Sequence, residues 1–89
     1  EKWEFVFNEK GQLAKITSYQ NDEMEKGKLK EMDTLEKVVE CYGNDYKKTD
    51  LGYGHMFMDY ERKDYDFRVL VYSDWGCSQF SKILKGFHE

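Results

Sequence analysis

Two histidines, two cysteines and a run of carboxylates are the residues in this chain that could do chemistry. His55, His88, Cys41 and Cys77 are all zinc-ligand types, but no two sit at the C-x2-4-C or H-x3-5-H spacing of structural zinc sites. His55 reads instead as a strand-edge residue, and His88 falls in a C-terminal tail predicted over residues 85 to 89. A nucleophilic cysteine needs a nearby base or a helix N-terminus to lower its pKa. Cys41 lies at the opposite end of a helical stretch, where the dipole disfavours a thiolate, so a packed thiol or a disulfide is expected there. Asp59, Glu61, Asp64 and Asp66 could supply paired carboxylates for acid–base work. Arg62, Lys63 and Arg68 are interleaved with them, however, which describes a solvated hairpin turn with surface ion pairs. The D-x-[DN]-x-[DN]-G loop of a calcium site is absent. No catalytic constellation, metal or cofactor is therefore expected.

What remains is the aromatic content. Seven Tyr, six Phe and two Trp make up 17% of the chain, more than a thin core can hide on one face of each strand. Surplus rings on an open sheet face would make a contact surface, since Tyr, Trp and Arg dominate binding hot spots. The candidates are Tyr46, Tyr53, Phe57, Tyr72 and Trp75, with Arg68 as a charged anchor. They would serve a non-enzymatic module that binds a protein partner. The same rings could stack on sugars of a glycan or cell wall, or the domain could be a structural spacer in a repeat array. A net charge of -4 with both signs interspersed argues against nucleic acid, whose binders show a basic face.

The elements that must position these rings follow from periodicity. Residues 33 to 43, DTLEKVVECYG, place Leu35, Val38, Val39 and Tyr42 on one face of a helix, with Asp33 as N-cap, Glu36 completing a capping box and Gly43 ending it. So short a helix is marginal alone and must dock on a sheet. Residues 3 to 8 alternate as a strand and return through a Gly11 turn as residues 12 to 19, with a bulge near Ala14 and Lys15. Residues 20 to 32 show no apolar stripe and read as an exposed connection with one turn of helix, and residues 44 to 54 read as loop. Strands follow at 55 to 60, 65 to 72 and 77 to 84. The fold class is α+β: one short helix on an antiparallel sheet of about five strands.

Eighty-nine residues make one domain, 1–89. One disulfide could join Cys41 to Cys77 if the last strand lies under the helix; the alternative is two separate thiols. No segment approaches the length of an apolar membrane span, and EKWEFVF has no signal-peptide layout. An excised domain or mature fragment is expected, with any targeting signal outside these residues. Phe5 to Gly11 echoes Leu70 to Gly76, an apolar triplet followed by a polar turn and Gly, and Leu13-Ala14-Lys15-Ile16 echoes Phe80-Ser81-Lys82-Ile83. Residues 1–19 then read as a hairpin closing a preceding repeat, and 28–84 as a complete helix-plus-meander unit. A hairpin severed from its unit could pair between chains, so both monomer and dimer stay open.

A D-T-L-x-x-V helix closed by Tyr42-Gly43, a Tyr-rich loop, and a meander ending in Lys82-Ile83 resemble the BamE-like (SmpA/OmlA) and β-lactamase-inhibitor-like group of small repeat domains in secreted or lipid-anchored proteins of Gram-positive bacteria. Met32-Asp33-Thr34 keeps the end of the Gly-Met-Thr or Gly-Asp-Thr turn that opens the helix in that group. Gly43-Asn44-Asp45 stands where Gly-x-Pro is usual. The resemblance implies a helical layer on an antiparallel sheet, a place outside the cytoplasm, and action by protein contact.

Overall fold

The computed structural model describes residues 3–87; His88 and the end of the tail lie outside the described residues. Six antiparallel strands form one open sheet: β1 (Trp3–Phe7), β2 (Leu13–Ser18), β3 (Lys47–Gly52), β4 (His55–Glu61), β5 (Tyr65–Tyr72) and β6 (Gly76–Leu84). Their spatial order is β1-β2-β6-β5-β4-β3. A single short helix, α1 (Leu35–Tyr42), covers one side. The sequence predicts about five strands because residues 47–52, KKTDLG, were expected to be loop. They form β3, an edge strand exposed along nearly its whole length, so no apolar alternation marks it.

Alternation and register sort the rest into two faces. On β5, Phe67, Val69 and Val71 point to the helix and are buried. Opposite them stand Met58 and Tyr60 of β4, and Phe80 and Cys77 of β6. Val38 and Leu29 complete this core, with Leu35, Val39 and Tyr42 against its edge. The Tyr42 ring lies 5.1 Å from Phe67 and 5.5 Å from Tyr60, tilted by about 45° to each, so the helix is anchored by aromatic contacts at its C-terminal end. Thr34, one residue later than expected, is the N-cap, its hydroxyl accepting from the Lys37 N–H; the expected Asp33–Glu36 box does not form. Asp33 instead accepts from the Lys30 N–H. Gly43 ends the helix at φ 94°. The bulge expected near Ala14 is present: Val6 pairs with Lys15 and Phe7 with Leu13, passing over Ala14.

The connection over residues 20 to 32 is not the exposed linker its composition predicts. Asp22 and Leu29 are fully buried. The Asp22 N–H donates to the Leu29 carbonyl, its side chain accepts from the Leu29 N–H at 3.1 Å, and it takes a short hydrogen bond from the Tyr42 hydroxyl. One carboxylate thus ties the loop to itself and to the helix, and with burial it raises the Tyr42 pKa above its ordinary value. Lys26 donates from Nζ to the Cys41 carbonyl, placing a positive charge at the C-terminus of a helix whose own last turn has none. Further on, Glu25 accepts from Arg62 at 3.0 Å and from the Tyr65 hydroxyl. Burial opposes its charge, but those two bonds outweigh burial and hold its carboxyl below the usual range.

Cys41 and Cys77 are both free thiols rather than a disulfide. Cys77 is fully buried, and burial, with Asp33 and Asp22 nearby, pushes its pKa up to about 12, which leaves it unreactive. Its backbone bonds to Met32 and Asp33, closing the connection onto the start of β6. The tail does not fray where it is described: Lys85 bridges Glu61 and Asp66 at 3.0 and 2.9 Å. β2 meets β6 over Lys15 to Ser18, and in that seam the buried Thr17 and Ser81 hydroxyls bond each other at 2.9 Å. Among the described residues, no helix is long and apolar enough to cross a membrane.

Candidate functional site

The hairpin turns β3–β4 and β5–β6 lie at the same end of the sheet and touch. The Ser73 N–H donates to the Gly54 carbonyl at 2.6 Å. Residues 52–54 turn through three successive positive φ values, 82° at Gly52, 54° at Tyr53 and 82° at Gly54. A side chain on Gly54 would meet the Ser73 hydroxyl at 2.5 Å, so close approach of the two turns requires glycine there. This contact sets Tyr53 and Trp75 on one rim. Tyr53 is 101% exposed and Trp75 51% exposed.

Behind the rim, the open face of the sheet continues the aromatic surface. The pairing His55↔Tyr72 brings two rings face to face, 4.6 Å apart and 26° from parallel. Tyr72 in turn lies 5.6 Å from Trp75. One step further along β4, the Arg68 guanidinium sits 4.0 Å over the Phe57 ring. It is held there by two bonds to Asp59, Nε to Oδ1 at 2.8 Å and Nη2 to Oδ2 at 3.2 Å. This is the forked geometry that makes Arg–carboxylate pairs specific, so the cation is fixed in the sheet. His55 Nδ1 is buried and has no hydrogen-bond partner among the described residues.

Around the end of the sheet, on the helix side, runs a groove of about 520 Å³ lined by Met32, Leu35, Met56, Tyr72, Asp74 and Trp75. Met32 is 62% exposed and adopts φ 76°. Among the described residues, Met32 and Tyr53 are the non-glycine positions with positive φ, and both carry large exposed side chains at this end.

Of the six residues expected to form a surface, five are gathered: Tyr53, Phe57, Arg68, Tyr72 and Trp75. Tyr46 is not among them. It precedes β3 on the helix side, half-buried, with its ring 5.6 Å from Tyr60. Burial and Tyr46 together push the Tyr60 pKa up to about 12, and the Tyr60 hydroxyl donates to the Gly43 carbonyl. Sequence reasoning missed Met32 and His55. Met32 stands in a charged stretch with no pattern, and His55, the first residue of β4, reads from the sequence only as a strand-edge residue. Among the described residues, no group of three or more His, Cys, Asp or Glu side chains gathers as a metal site would. Compared with known proteins, the chain matches no protein family, no curated protein and no solved structure.

Proposed function

We propose that this domain is a non-enzymatic interaction module that binds a protein partner at the aromatic end of its sheet, in an extracytoplasmic bacterial protein. The observation that carries the proposal is the pair Met32 and Tyr53. A positive φ costs a non-glycine residue on the order of 1–2 kcal/mol, and an exposed ring or thioether returns nothing to the fold. Strain of that kind supports a role in contact with something else. Tyr53 and Trp75 would be the anchors, the Met32–Leu35–Met56 groove the apolar pocket beside them, and Phe57 with its clamped Arg68 the rigid floor. The extracytoplasmic placement rests on the resemblance to the BamE-like and β-lactamase-inhibitor-like repeats.

The test is capture from cell-surface extract by immobilised protein, comparing the native chain with Tyr53→Ala, Trp75→Ala and the double variant. Loss of a discrete captured protein, with an unchanged circular dichroism spectrum, is the expected result. Unchanged capture by the double variant would remove the assignment. A second reading, glycan binding, draws on the His55–Tyr72 stack and the Trp75 ring tilted beside it, which offer aromatic faces of the type that sugars stack on. Retention on peptidoglycan that free sugar competes away would favour it over a protein partner.

A further inference from the structure

The two edges of the sheet are treated differently by the sequence. β3 carries Lys47, Lys48 and Asp50, the charges that keep an edge from pairing with another chain. β1, WEFVF, carries one charge, Glu4, no proline, and no bulge of its own, since the extra residue at Ala14 belongs to β2. Its side chains also lack a cover. Trp3 and Phe5 lie on the helix side of the sheet, as the chain of pairs Phe5↔Ile16, Ile16↔Lys82 and Lys82↔Phe67 shows, and Phe7 follows by alternation. Trp3 and Phe5 stack at 6.4 Å. α1 and the anchored connection cover the β4–β6 half of that side, and Phe5 and Phe7 remain 56% and 60% exposed.

We propose that β1 pairs antiparallel with β1 of a second copy, about a two-fold axis at Phe5, joining two six-stranded sheets into one. This interface is separate from the aromatic end described above and does not depend on its function. The side-chain pattern selects the register. Centred on Phe5, all five residues pair: Trp3 with Phe7 of the second copy, Phe5 with Phe5, and Glu4 with Val6. The aromatic rings of both copies then form one continuous strip on the helix side. Centring on Glu4 would set two carboxylates directly opposite each other, which is destabilising. Centring on Val6 would leave Trp3 without a partner. An intermediate register would point the rings of one copy to the other face. Phe5 and Phe7 each expose on the order of 100 Å², given ~150–250 Å² for a whole aromatic side chain. Four such rings and the strand backbones stay below the ~1,200 Å² of a standard interface, so the dimer forms in a concentration-dependent way.

Sedimentation equilibrium of the full chain between about 1 and about 300 µM tests this. The expected mass rises from one copy to two across that range. Phe5→Lys, which places two ammonium groups together at the axis, holds the mass at one copy throughout, whereas Thr49→Lys on the β3 edge leaves association unchanged. Should Phe5→Lys not fold, cysteine pairing in a Cys41→Ser background reads the register directly. Phe5→Cys forms an interchain disulfide, and Val6→Cys, displaced diagonally from its counterpart, forms one at least about ten-fold more slowly. A single-copy mass at the highest concentration would overturn the proposal, including one caused by another segment of the full chain lying along β1. So would association lost in Thr49→Lys but kept in Phe5→Lys, or equal cross-linking at positions 5 and 6.

Discussion

Replacing Asp22 by alanine is expected to cost this domain a large share of its stability, although nothing in the local sequence singles the residue out. Its carboxylate is fully buried and serves two donors, the Leu29 N–H and the Tyr42 hydroxyl. A hydrogen bond to a charged group contributes about 1.5–3 kcal/mol, and a donor left dry carries a desolvation penalty besides. The Tyr42 oxygen keeps one partner in Asp22→Ala, because the Lys26 N–H also donates to it, but the Leu29 amide loses its side-chain acceptor. The expected loss is about 3–5 kcal/mol. A chain of this length holds roughly 4–13 kcal/mol in total, at ~0.05–0.15 kcal/mol per residue. At ~4–8 °C per kcal/mol, thermal unfolding should move down by roughly 12–40 °C. Urea unfolding should show the same loss as a lower midpoint. Asp22→Asn keeps an acceptor for Leu29 and can donate to the Tyr42 oxygen, so it should lose only about 1–2 kcal/mol. In a cycle with Tyr42→Phe, the two changes should be non-additive, because they remove the same bond. A loss below about 1 kcal/mol for Asp22→Ala would show that the carboxylate does not hold the loop, and the account of residues 20–32 as a structural clasp would fall with it.

Gly76→Ala should be destabilising by about 3 kcal/mol or more by urea unfolding, since Gly76 sits at φ 87° and a Cβ would lie 2.4 Å from the Asp33 carbonyl oxygen and 2.7 Å from that of Met32. Gly11→Ala, at φ 78° with open space around it, should lose only about 1 kcal/mol. Glu25 has a folded pKa below its unfolded 4.5, so the stability it contributes is complete above that value and is lost as pH falls through the lower, folded one. Glu25→Gln should therefore flatten the decline of stability on acidification below pH 4.5, and an unchanged slope would contradict the Arg62–Tyr65 clasp.

The parts of this fold that bury one face of an element announced themselves, and the parts held by polar groups did not. Val69 and Val71 alternate with Arg68 and Leu70, and Leu35, Val38 and Tyr42 recur at helical spacing, so β5 and α1 were legible within two residues. β3 has no buried face, so its residues read as loop. Asp22 meets Leu29 and Tyr42 across separations that no local period encodes, so a clasp looked like a linker. In the candidate site, Tyr72, Phe57 and Arg68 were readable as outward-facing residues of strands. That Tyr53 and Trp75 share a rim depended on two turns meeting, which no strand pattern foretells. Tyr46 lies apart from the other five, and for the same reason that β3 reads as loop: without that strand, nothing in the sequence shows which side of the sheet it joins.

The β2–β6 seam bears on how the chain reaches this structure. Every other strand pair joins neighbours in sequence, so the first hairpin and the β3–β6 meander can each assemble locally and early. The seam alone must bring Lys15–Ser18 to segments more than sixty residues away, and it therefore carries the largest loop-closure cost of these strand pairings. At its middle, Thr17 and Ser81 satisfy each other where an apolar pair would have adhered in any alignment. A slip of one residue would part this pair and turn Thr17 to the other face of the sheet. The docking of the two halves thus carries a register mark at its middle, since the Thr17–Ser81 bond forms in the native alignment alone.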